Sequence, residues 1–364
     1  MATPKDFGFT EDISMLKDTF AKFLSEQKTI ENLRPSLKGT EDPYHGDQRS
    51  AFYDTQSWQQ TVELGIHAVS IPEDQGGIGM GLVAATAIAE EIGRYALATP
   101  LTNTLLATFL LRAIDSPEGN ALLEAMAGGT RVGIALYGED ASLEGDSTDV
   151  RVEDGKLQGQ SWYVTDAQKS EILIVAAESA DGVDLYRVDC QSANVRVLDD
   201  RIVDLTRDQA RIQFDGAEAQ ALTTGGRGLL SFQKALPALL TLTAADIAGA
   251  AEWQLQTTAE YAKVRSQFDR PIGFFQAVKH PIVDMMITAD ETRSLVYQAA
   301  AAFDFEPEDA ARCAHLAKSS ASDTAEFCAN RSTHLHGGIG FTWEADVQIY
   351  HKRQMHSQFL FGDG

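Results

Sequence analysis

Two short segments of the chain carry residues suited to holding a phosphate-bearing ligand. Arg265 directly follows a long Ala-rich stretch, and its planar guanidinium could hold two phosphate oxygens at once, which a lysine could not. Phe268 comes three residues later and could cover the face of an adenine ring. Gly337 and Gly338 have no Cβ, so backbone N–H groups there could approach phosphate oxygens.

Each of these elements also has an ordinary explanation when it is taken alone. Arg265 could be a surface arginine beside a core phenylalanine, and the glycine pair could be a simple turn between helices. The prediction of a cofactor site therefore rests on the order and spacing of the elements together.

The composition excludes several kinds of partner. The 364 residues include 53 Asp and Glu against 30 Lys and Arg, for a formal net charge of −23. Nucleic acids and anionic membrane surfaces both require a basic face, so neither is expected as a partner. No stretch is expected to span a membrane.

Metal and disulfide chemistry are not expected either. The histidines at 334, 336, 351 and 356 lack a complement of cysteines or carboxylates at ligand spacing, so no metal is predicted. The cysteines are three in number and form no CxxC pair, which indicates reduced thiols. The N-terminal residues lack the apolar core of a signal peptide, so a cytoplasmic location is expected.

The spacing of apolar residues divides the chain into three domains. Residues 1–129 and 226–364 have helical spacing, whereas residues 130–225 alternate with the period of two that is typical of strands. This order predicts an α+β multidomain fold, with a helical N-terminal domain, a middle antiparallel β-barrel-like domain and a C-terminal helical bundle.

Particular helices and strands follow from the same spacing. The clearest predicted helices cover residues 82–97, 244–261, 277–303 and 310–335. Asp-Gly pairs are predicted to form turns between the strands of the middle domain, at residues 154–155, 181–182 and 215–216.

At five ordered blocks the whole chain resembles the acyl-CoA dehydrogenase family of FAD flavoproteins. The blocks are Glu63-Leu64-Gly65 through Gly79, Glu90 to Arg94, Arg265-Ser266-Gln267-Phe268, Pro271 to His280, and Gly337-Gly338-Ile339-Gly340-Phe341. The resemblance implies an acyl-CoA thioester substrate, an FAD cofactor and an electron-transfer flavoprotein as electron acceptor.

The resemblance also implies which residues contact FAD. In the family, the three C-terminal blocks reach the ADP half of a flavin held mainly by the neighbouring subunit. His334 stands where the family usually has Gln. The cofactor-binding residues implied for this chain are Arg265, Phe268, Phe275, Gln276, His334, Gly337 and Gly338.

The catalytic base of the family has no counterpart at its usual positions. The reaction removes a proton from the carbon α to the thioester, which requires a carboxylate within reach. The first family position for this Glu corresponds to Phe361, and the second corresponds to Leu239. Asp246 is seven residues beyond Leu239, about 10 Å along a helix, and cannot substitute without a shift of two turns. Asp363 is close to Phe361 but is expected to be a solvated chain end.

The segments that would contact the chain's own flavin ring differ from the family as well. The loop that usually contacts the ring is here 136–142, and the strand that packs on it contains Tyr163 and Thr165, interpreted as remnants. Asp166 stands where Asn is common and would add a negative charge there.

The chain is therefore similar to the base-less subunit of bacterial heterotetrameric steroid side-chain acyl-CoA dehydrogenases. Such a subunit would complete the FAD site of a homologous partner that carries the catalytic Glu, in an α2β2 assembly. Three alternatives stay open: a self-sufficient homotetramer with a displaced base such as Asp246 or Asp363, a flavin-free binding or structural paralogue, and a flavin-dependent oxidase or monooxygenase.

Overall fold

The computed structural model describes residues 6–27, 30–33, 53, 55–142 and 147–362. Within these ranges the chain forms helices, then a curled sheet, then long helices again, which confirms the predicted fold class. Asp363 lies outside the described residues.

The first part of the chain is helical and packs in one apolar core with the C-terminal helices. The hydroxyl of Thr10 accepts a hydrogen bond from the N–H of Ile13 at 3.4 Å, as expected of an N-terminal cap. The predicted helix at 82–97 ends earlier, at Arg94, because Ala96 turns into the left-handed region with φ +47°. The helices are α1 (Glu11–Gln27), α2 (Thr55–Glu63), α3 (Leu82–Arg94), α4 (Leu101–Ile114) and α5 (Pro117–Ala127).

The middle of the chain forms an eight-stranded sheet. Its strand order is β6-β7-β3-β2-β4-β5-β8, with β1 beside β4. Most neighbours are antiparallel, as predicted, but β1 and β2 each run parallel to β4. The strands are β1 (Val132–Ala135), β2 (Val150–Glu153), β3 (Lys156–Thr165), β4 (Ile172–Ser179), β5 (Gly182–Asp189), β6 (Val195–Asp199), β7 (Gln209–Glu218) and β8 (Gln220–Ala221).

One of the predicted turns is wrong. The Asp-Gly pairs at 154–155 and 181–182 do connect neighbouring strands, but Asp215 and Gly216 lie inside β7. Leu157 of β3 pairs with Ala217 and Gln158 pairs with Asp215, so Gly216 is the extra residue of a β-bulge. Its φ of +73° is one that glycine adopts without strain, and the same property is what makes Asp-Gly typical of turns.

The C-terminal part contains the longest helices, and these include the predicted ones. They are α6 (Gly228–Val264), α7 (Gln276–Phe305), α8 (Pro307–His336) and α9 (Val347–Ser357). A two-stranded hairpin, β9 (Ser266–Gln267) with β10 (Arg270–Pro271), separates α6 from α7.

Helix α6 differs from expectation in one respect. By length and composition alone it could cross a membrane, with a mean hydropathy of 1.2 over its most apolar window. However, 89% of that window is buried inside the protein, as is typical of a central core helix.

Helices α3 and α6 cross in very close contact, and this explains one of the five sequence blocks. A Cβ on Gly93 would lie 1.8 Å from the backbone oxygen of Asp246, and a Cβ on Gly249 would lie 1.8 Å from that of Glu90. Only glycine permits this approach at both positions. The block from Glu90 to Arg94 therefore joins the N-terminal helices to α6.

Candidate functional site

The sequence-predicted cofactor residues lie at one end of the C-terminal bundle. We call this set the bundle-end surface: Arg265, Phe268, Phe275, Gln276, His334, Gly337 and Gly338. Helices α6 and α8 run parallel, since Thr258 donates to the hydroxyl of Ser332 at 2.8 Å and the ring of Tyr261 stacks on His336 at 4.4 Å. Arg265 and the glycine pair therefore leave the bundle at the same end.

The hairpin after α6 presents an arginine and a phenylalanine to solvent. Its two central residues, Phe268 and Asp269, have φ of +54° and +58°, as a tight two-residue hairpin turn requires. The N–H of Ile272 donates to the backbone oxygen of Arg265 at 2.8 Å and closes the loop. The side chain of Phe268 is 85% exposed, with the ring of Phe275 edge-on at 6.0 Å. Arg265 is exposed and pairs with no carboxylate among the described residues.

The glycine turn after α8 borders open space. Gly337 has φ +63° and ψ −143°, a conformation that favours glycine. A Cβ built on Gly337 or on Gly338 would meet no atom within 4 Å. Among the residues that the structure describes, these glycines therefore serve no close contact, and a ligand could approach the backbone there. His334 and Gln276 are also exposed.

A separate cavity of about 260 Å³ lies between the sheet and the helices. It is bordered by Leu106 of α4, Ile134 of β1, Tyr163 of β3 and Asp246 of α6. The loop at 136–142 and the turn at 359–362 complete its walls. The structure thus brings together the residues that the family resemblance relates to a flavin ring and its base.

The two positions of the family base occupy different places. Phe361 lines the cavity, with φ +56° and its ring 6.1 Å from that of Tyr137. Leu239 is completely buried in the main core. Neither side chain can accept a proton, so the cavity has no base at these positions.

Asp246 is the only carboxylate among the described residues that line the cavity, and it is fully engaged. Arg353 donates to both of its oxygens, at 3.1 and 2.5 Å, and Arg207 pairs with Oδ1 at 3.0 Å. A carboxylate held by two guanidiniums in this way is a structural ion-pair partner and is not poised to abstract a proton.

The same buried network extends into the sheet domain. Arg207 also donates to Asp204 at 2.9 Å, and Arg353 donates to the hydroxyl of Thr206 at 2.6 Å. Burial raises the pKa of Asp204, but His356 and the two arginines outweigh burial and hold it far below its usual range. We call Asp204, Arg207, Asp246, Arg353 and His356 the buried ion network; it joins the loop before β7 to α6 and α9.

Sequence reasoning missed this network, because its members are far apart in the chain. Arg353 is completely buried, and a buried arginine nearly always has a carboxylate partner. A helical pattern with Arg353 on the apolar face of α9 was the available signal. Asp166, which was expected to add a negative charge near the ring segment, is buried and paired with Lys169 at 2.5 Å, and Lys169 also contacts Asp208 at 3.3 Å.

The residues present fit the FAD that the family implies at the bundle-end surface. That surface offers an exposed guanidinium, an aromatic face and an open glycine turn, as the ADP half requires. The cavity is open on one side, and what it lacks for the reaction of the family is a carboxylate at Phe361 or Leu239.

No group of three or more His, Cys, Asp or Glu side chains in the described part of the chain is arranged to hold a metal ion.

Comparison with known families identifies the class of protein. The family model described as "Acyl-CoA dehydrogenase, N-terminal domain" matches residues 10–129, and that described as "Acyl-CoA dehydrogenase, C-terminal domain" matches residues 226–364. The chain belongs to the acyl-CoA dehydrogenase family, which supports an oxidoreductase and implies FAD.

Particular relatives extend the likeness over nearly the whole chain. Acyl-CoA dehydrogenase IpdE2 of Mycobacterium tuberculosis is 32% identical over 344 residues, which are 94% of this chain and 91% of that protein. The solved structure of a variant of the Tcur3481-Tcur3483 steroid ACAD is 26% identical, with a TM-score of 0.84 over 97% of this chain and 94% of that one. The ChsE4-ChsE5 complex from Mycobacterium tuberculosis is 25% identical, with a TM-score of 0.81 over 98% and 95%.

Proposed function

We propose that this chain is the base-less subunit of a heteromeric FAD-dependent acyl-CoA dehydrogenase. A homologous partner subunit supplies the catalytic Glu and the flavin-ring pocket, and this chain completes the partner's cofactor site with its bundle-end surface. The assembly is an α2β2 tetramer in the cytoplasm. Its substrate is an acyl-CoA thioester, a steroid side-chain CoA ester in particular, and an electron-transfer flavoprotein accepts the electrons.

One observation carries this proposal. Phe361 stands at the family position of the base and lines the cavity, whereas Arg265 and the glycine pair stay exposed at the end of the bundle. A self-sufficient enzyme would need a base in the cavity. A subunit that serves a neighbour's cofactor needs only the bundle-end surface.

The similar structures support the same proposal. The Tcur3481-Tcur3483 steroid ACAD carries the names of two components, and the other structure is a complex of ChsE4 with ChsE5. Assemblies of unlike chains therefore occur on this fold. Neither likeness identifies the partner or the acyl group of this chain, so both are part of the proposal.

The role of this chain in the reaction is to bind and orient. The cofactor supplies hydride acceptance from the β carbon once it is bound. Arg265 would hold two phosphate oxygens through its planar guanidinium, and Phe268 would cover the adenine. The N–H groups near Gly337 and Gly338 would donate to phosphate oxygens. The partner's carboxylate would remove the α proton.

The test is coexpression with a family member that carries Glu at the position of Phe361. Alone, this chain should purify colourless and inactive; the coexpressed complex should be yellow, with one FAD per heterodimer and acyl-CoA dehydrogenase activity. A stoichiometric flavin spectrum and turnover in the lone chain would instead establish a homomeric enzyme. A complex without flavin absorbance would establish a flavin-free paralogue.

The contribution of Arg265 can be measured in that complex. Arg265→Gln should weaken FAD retention about tenfold or more, because a charged hydrogen bond contributes roughly 1.5–3 kcal/mol. Arg265→Lys should rescue only part of the loss, since an ammonium cannot form the bidentate pair. Arg196→Gln is the matched control, an exposed arginine on β6 in the sheet domain. Equal retention in Arg265→Gln and the control would contradict the proposed contact.

A further inference from the structure

We propose that the exposed face of helix α7 binds a second copy of this chain, with the two helices antiparallel about a two-fold axis near residue 285. We call the residues of this face the α7 face: Lys279, His280, Val283, Met286, Ile287, Asp290 and Glu291. It shares no residue with the bundle-end surface. In the proposed α2β2 assembly this contact would join the two copies of this chain, but the inference does not depend on the proposed function.

The centre of the α7 face is apolar and open to solvent. Val283, Met286 and Ile287 are 45%, 44% and 54% exposed. Their spacing of three and four residues places them together on one side of the helix, whereas Met285 points to the opposite side and is completely buried. Exposed apolar side chains that adjoin on successive turns are typical of a surface that another protein covers.

Charged residues flank this apolar centre, with opposite signs at its two ends. The basic residues Lys279 and His280 precede it by about one turn, and the acidic residues Asp290 and Glu291 follow it by about one turn. All four residues are exposed, and none of them forms an ion pair with another described residue. The two ends of the α7 face therefore have complementary charges that nothing in the described part of the chain uses.

This arrangement is complementary to an antiparallel copy of itself. With 3.6 residues per turn, Lys279 and Asp290 lie on one side of the apolar centre, and His280 and Glu291 lie on the other. A two-fold axis near residue 285 therefore brings Lys279 opposite Asp290 of the second copy, and His280 opposite Glu291 of the second copy. Each pair occurs twice, as in any isologous contact, and the same rotation places the two apolar centres against each other.

The charges also determine the orientation. A parallel arrangement would place Lys279 against Lys279 and Asp290 against Asp290, which like-charge repulsion disfavours. The net charge of −23 opposes self-association in general, but repulsion between distant surface charges is screened beyond about 8 Å at physiological salt. Within the α7 face basic and acidic residues are equal in number, and Asp284 lies at its edge, where it stays in solvent.

The first test is sedimentation equilibrium of the full chain alone, at physiological salt and at concentrations up to about 100 µM. We expect an equilibrium between monomer and dimer. Ile287→Asp should weaken the dimer roughly tenfold or more, because the contact would then bury an unpaired charge on each copy. Leu230→Asp is the matched control: Leu230 on α6 is 52% exposed and lies outside the α7 face, so the dimer should be unchanged.

A charge exchange tests the antiparallel pairing. Lys279→Glu and Asp290→Lys should each weaken the dimer roughly three- to thirtyfold, because each replaces two attractive pairs by two repulsive ones. The double variant should restore the dimer, since the exchanged charges pair again. Lys234→Glu, at an exposed lysine on α6, should have no effect. Weakening by both single substitutions without recovery in the double variant would contradict the proposed pairing.

The remaining outcomes separate this inference from the proposed function. A chain that stays monomeric, or a dimer that Ile287→Asp leaves intact, overturns the inference. A monomeric chain that needs Ile287 to join its coexpressed partner subunit assigns the α7 face to that subunit and overturns self-pairing too. If the lone chain dimerises and also retains FAD with turnover, the proposed function fails and the inference stands. A monomeric, flavin-free chain refutes only the inference.

Discussion

Asp246 is the residue at which a catalytic and a structural role make opposite predictions. It is 2% exposed at the side chain, and Arg353 and Arg207 both contact it in the interior. Asp246→Asn keeps the shape of the side chain but removes its charge. If Asp246 is a structural ion-pair partner, the substitution should destabilise the protein whether or not a partner subunit is present.

The size of the effect follows from the network. Removing one partner of a buried ion pair costs about 3–5 kcal/mol, because the remaining charge is left uncompensated. Here Arg353 would lose the negative charge opposite it and one of its two acceptor oxygens on residue 246, where the Asn NH2 would face a guanidinium N–H, while Arg207 would keep Asp204. With a few degrees per kcal/mol expected, Tm should decrease on the order of 5–10 °C.

The assay is thermal unfolding of the purified chain, followed by circular dichroism. Asp284→Asn is the matched control, because Asp284 is an exposed aspartate on α7 outside the network. Its Tm should change by less than about 1–2 °C, as is usual for a surface substitution of about 0.5 kcal/mol or less. Both variants are then prepared in the coexpressed complex, where acyl-CoA dehydrogenase activity is measured in addition to Tm.

One result would refute the reasoning. If Asp246→Asn matches the control in Tm but abolishes turnover, Asp246 acts as a base, and the homomeric alternative gains support. A large loss of Tm with turnover retained at low temperature is the outcome that we expect.

The remaining predictions concern the core. At pH 8 the free thiols should resist a thiol reagent until the chain unfolds, because burial raises the pKa of two of them to about 12, and a thiol that reacts quickly in the folded chain would contradict this. An unfolded thiol ionises near pH 8.5, so the unfolded state loses its thiol protons at a lower pH than the folded state does. The free energy of unfolding should therefore fall between pH 8.5 and 12, by about 2 kcal/mol per such thiol at pH 10. Urea midpoints measured across that range test this. Gly249→Ala should cost about 1–3 kcal/mol or more, measured by urea midpoint, because its Cβ would overlap the backbone of Glu90. Gly338→Ala meets no atom within 4 Å and should not change stability, so equal midpoints for the two variants would contradict the helix crossing. The buried thiols are Cys190, Cys313 and Cys328.

Much of the fold could be predicted from local patterns. The spacing of apolar residues along a helix or strand reflects which side of the element faces the core, so it can be recognised from the residue types alone. The Asp-Gly pair at 215–216 was misassigned because glycine's positive φ suits a bulge as well as a turn, and only the pairing with β3 distinguishes them.

The candidate site could be predicted in part. The segments after α6 and α8 are predicted from the sequence to contact a cofactor, because an arginine and a glycine pair follow long helices at a recognisable spacing. That both segments meet at one end of the bundle depends on α6 and α8 running parallel, a relation between residues more than seventy positions apart.

The sequence by itself determined the family, the order of the domains and the absence of a carboxylate at Phe361 and Leu239, since each of these is a matter of residue identity at a position. The tertiary structure alone decided that Asp246 is held by two arginines, that Tyr137 has no partner among the described residues and that a cavity of about 260 Å³ lies between them. These are properties of contacts between distant segments. A carboxylate can act as a base or as an ion-pair partner, and the groups packed around it determine which of the two roles it has.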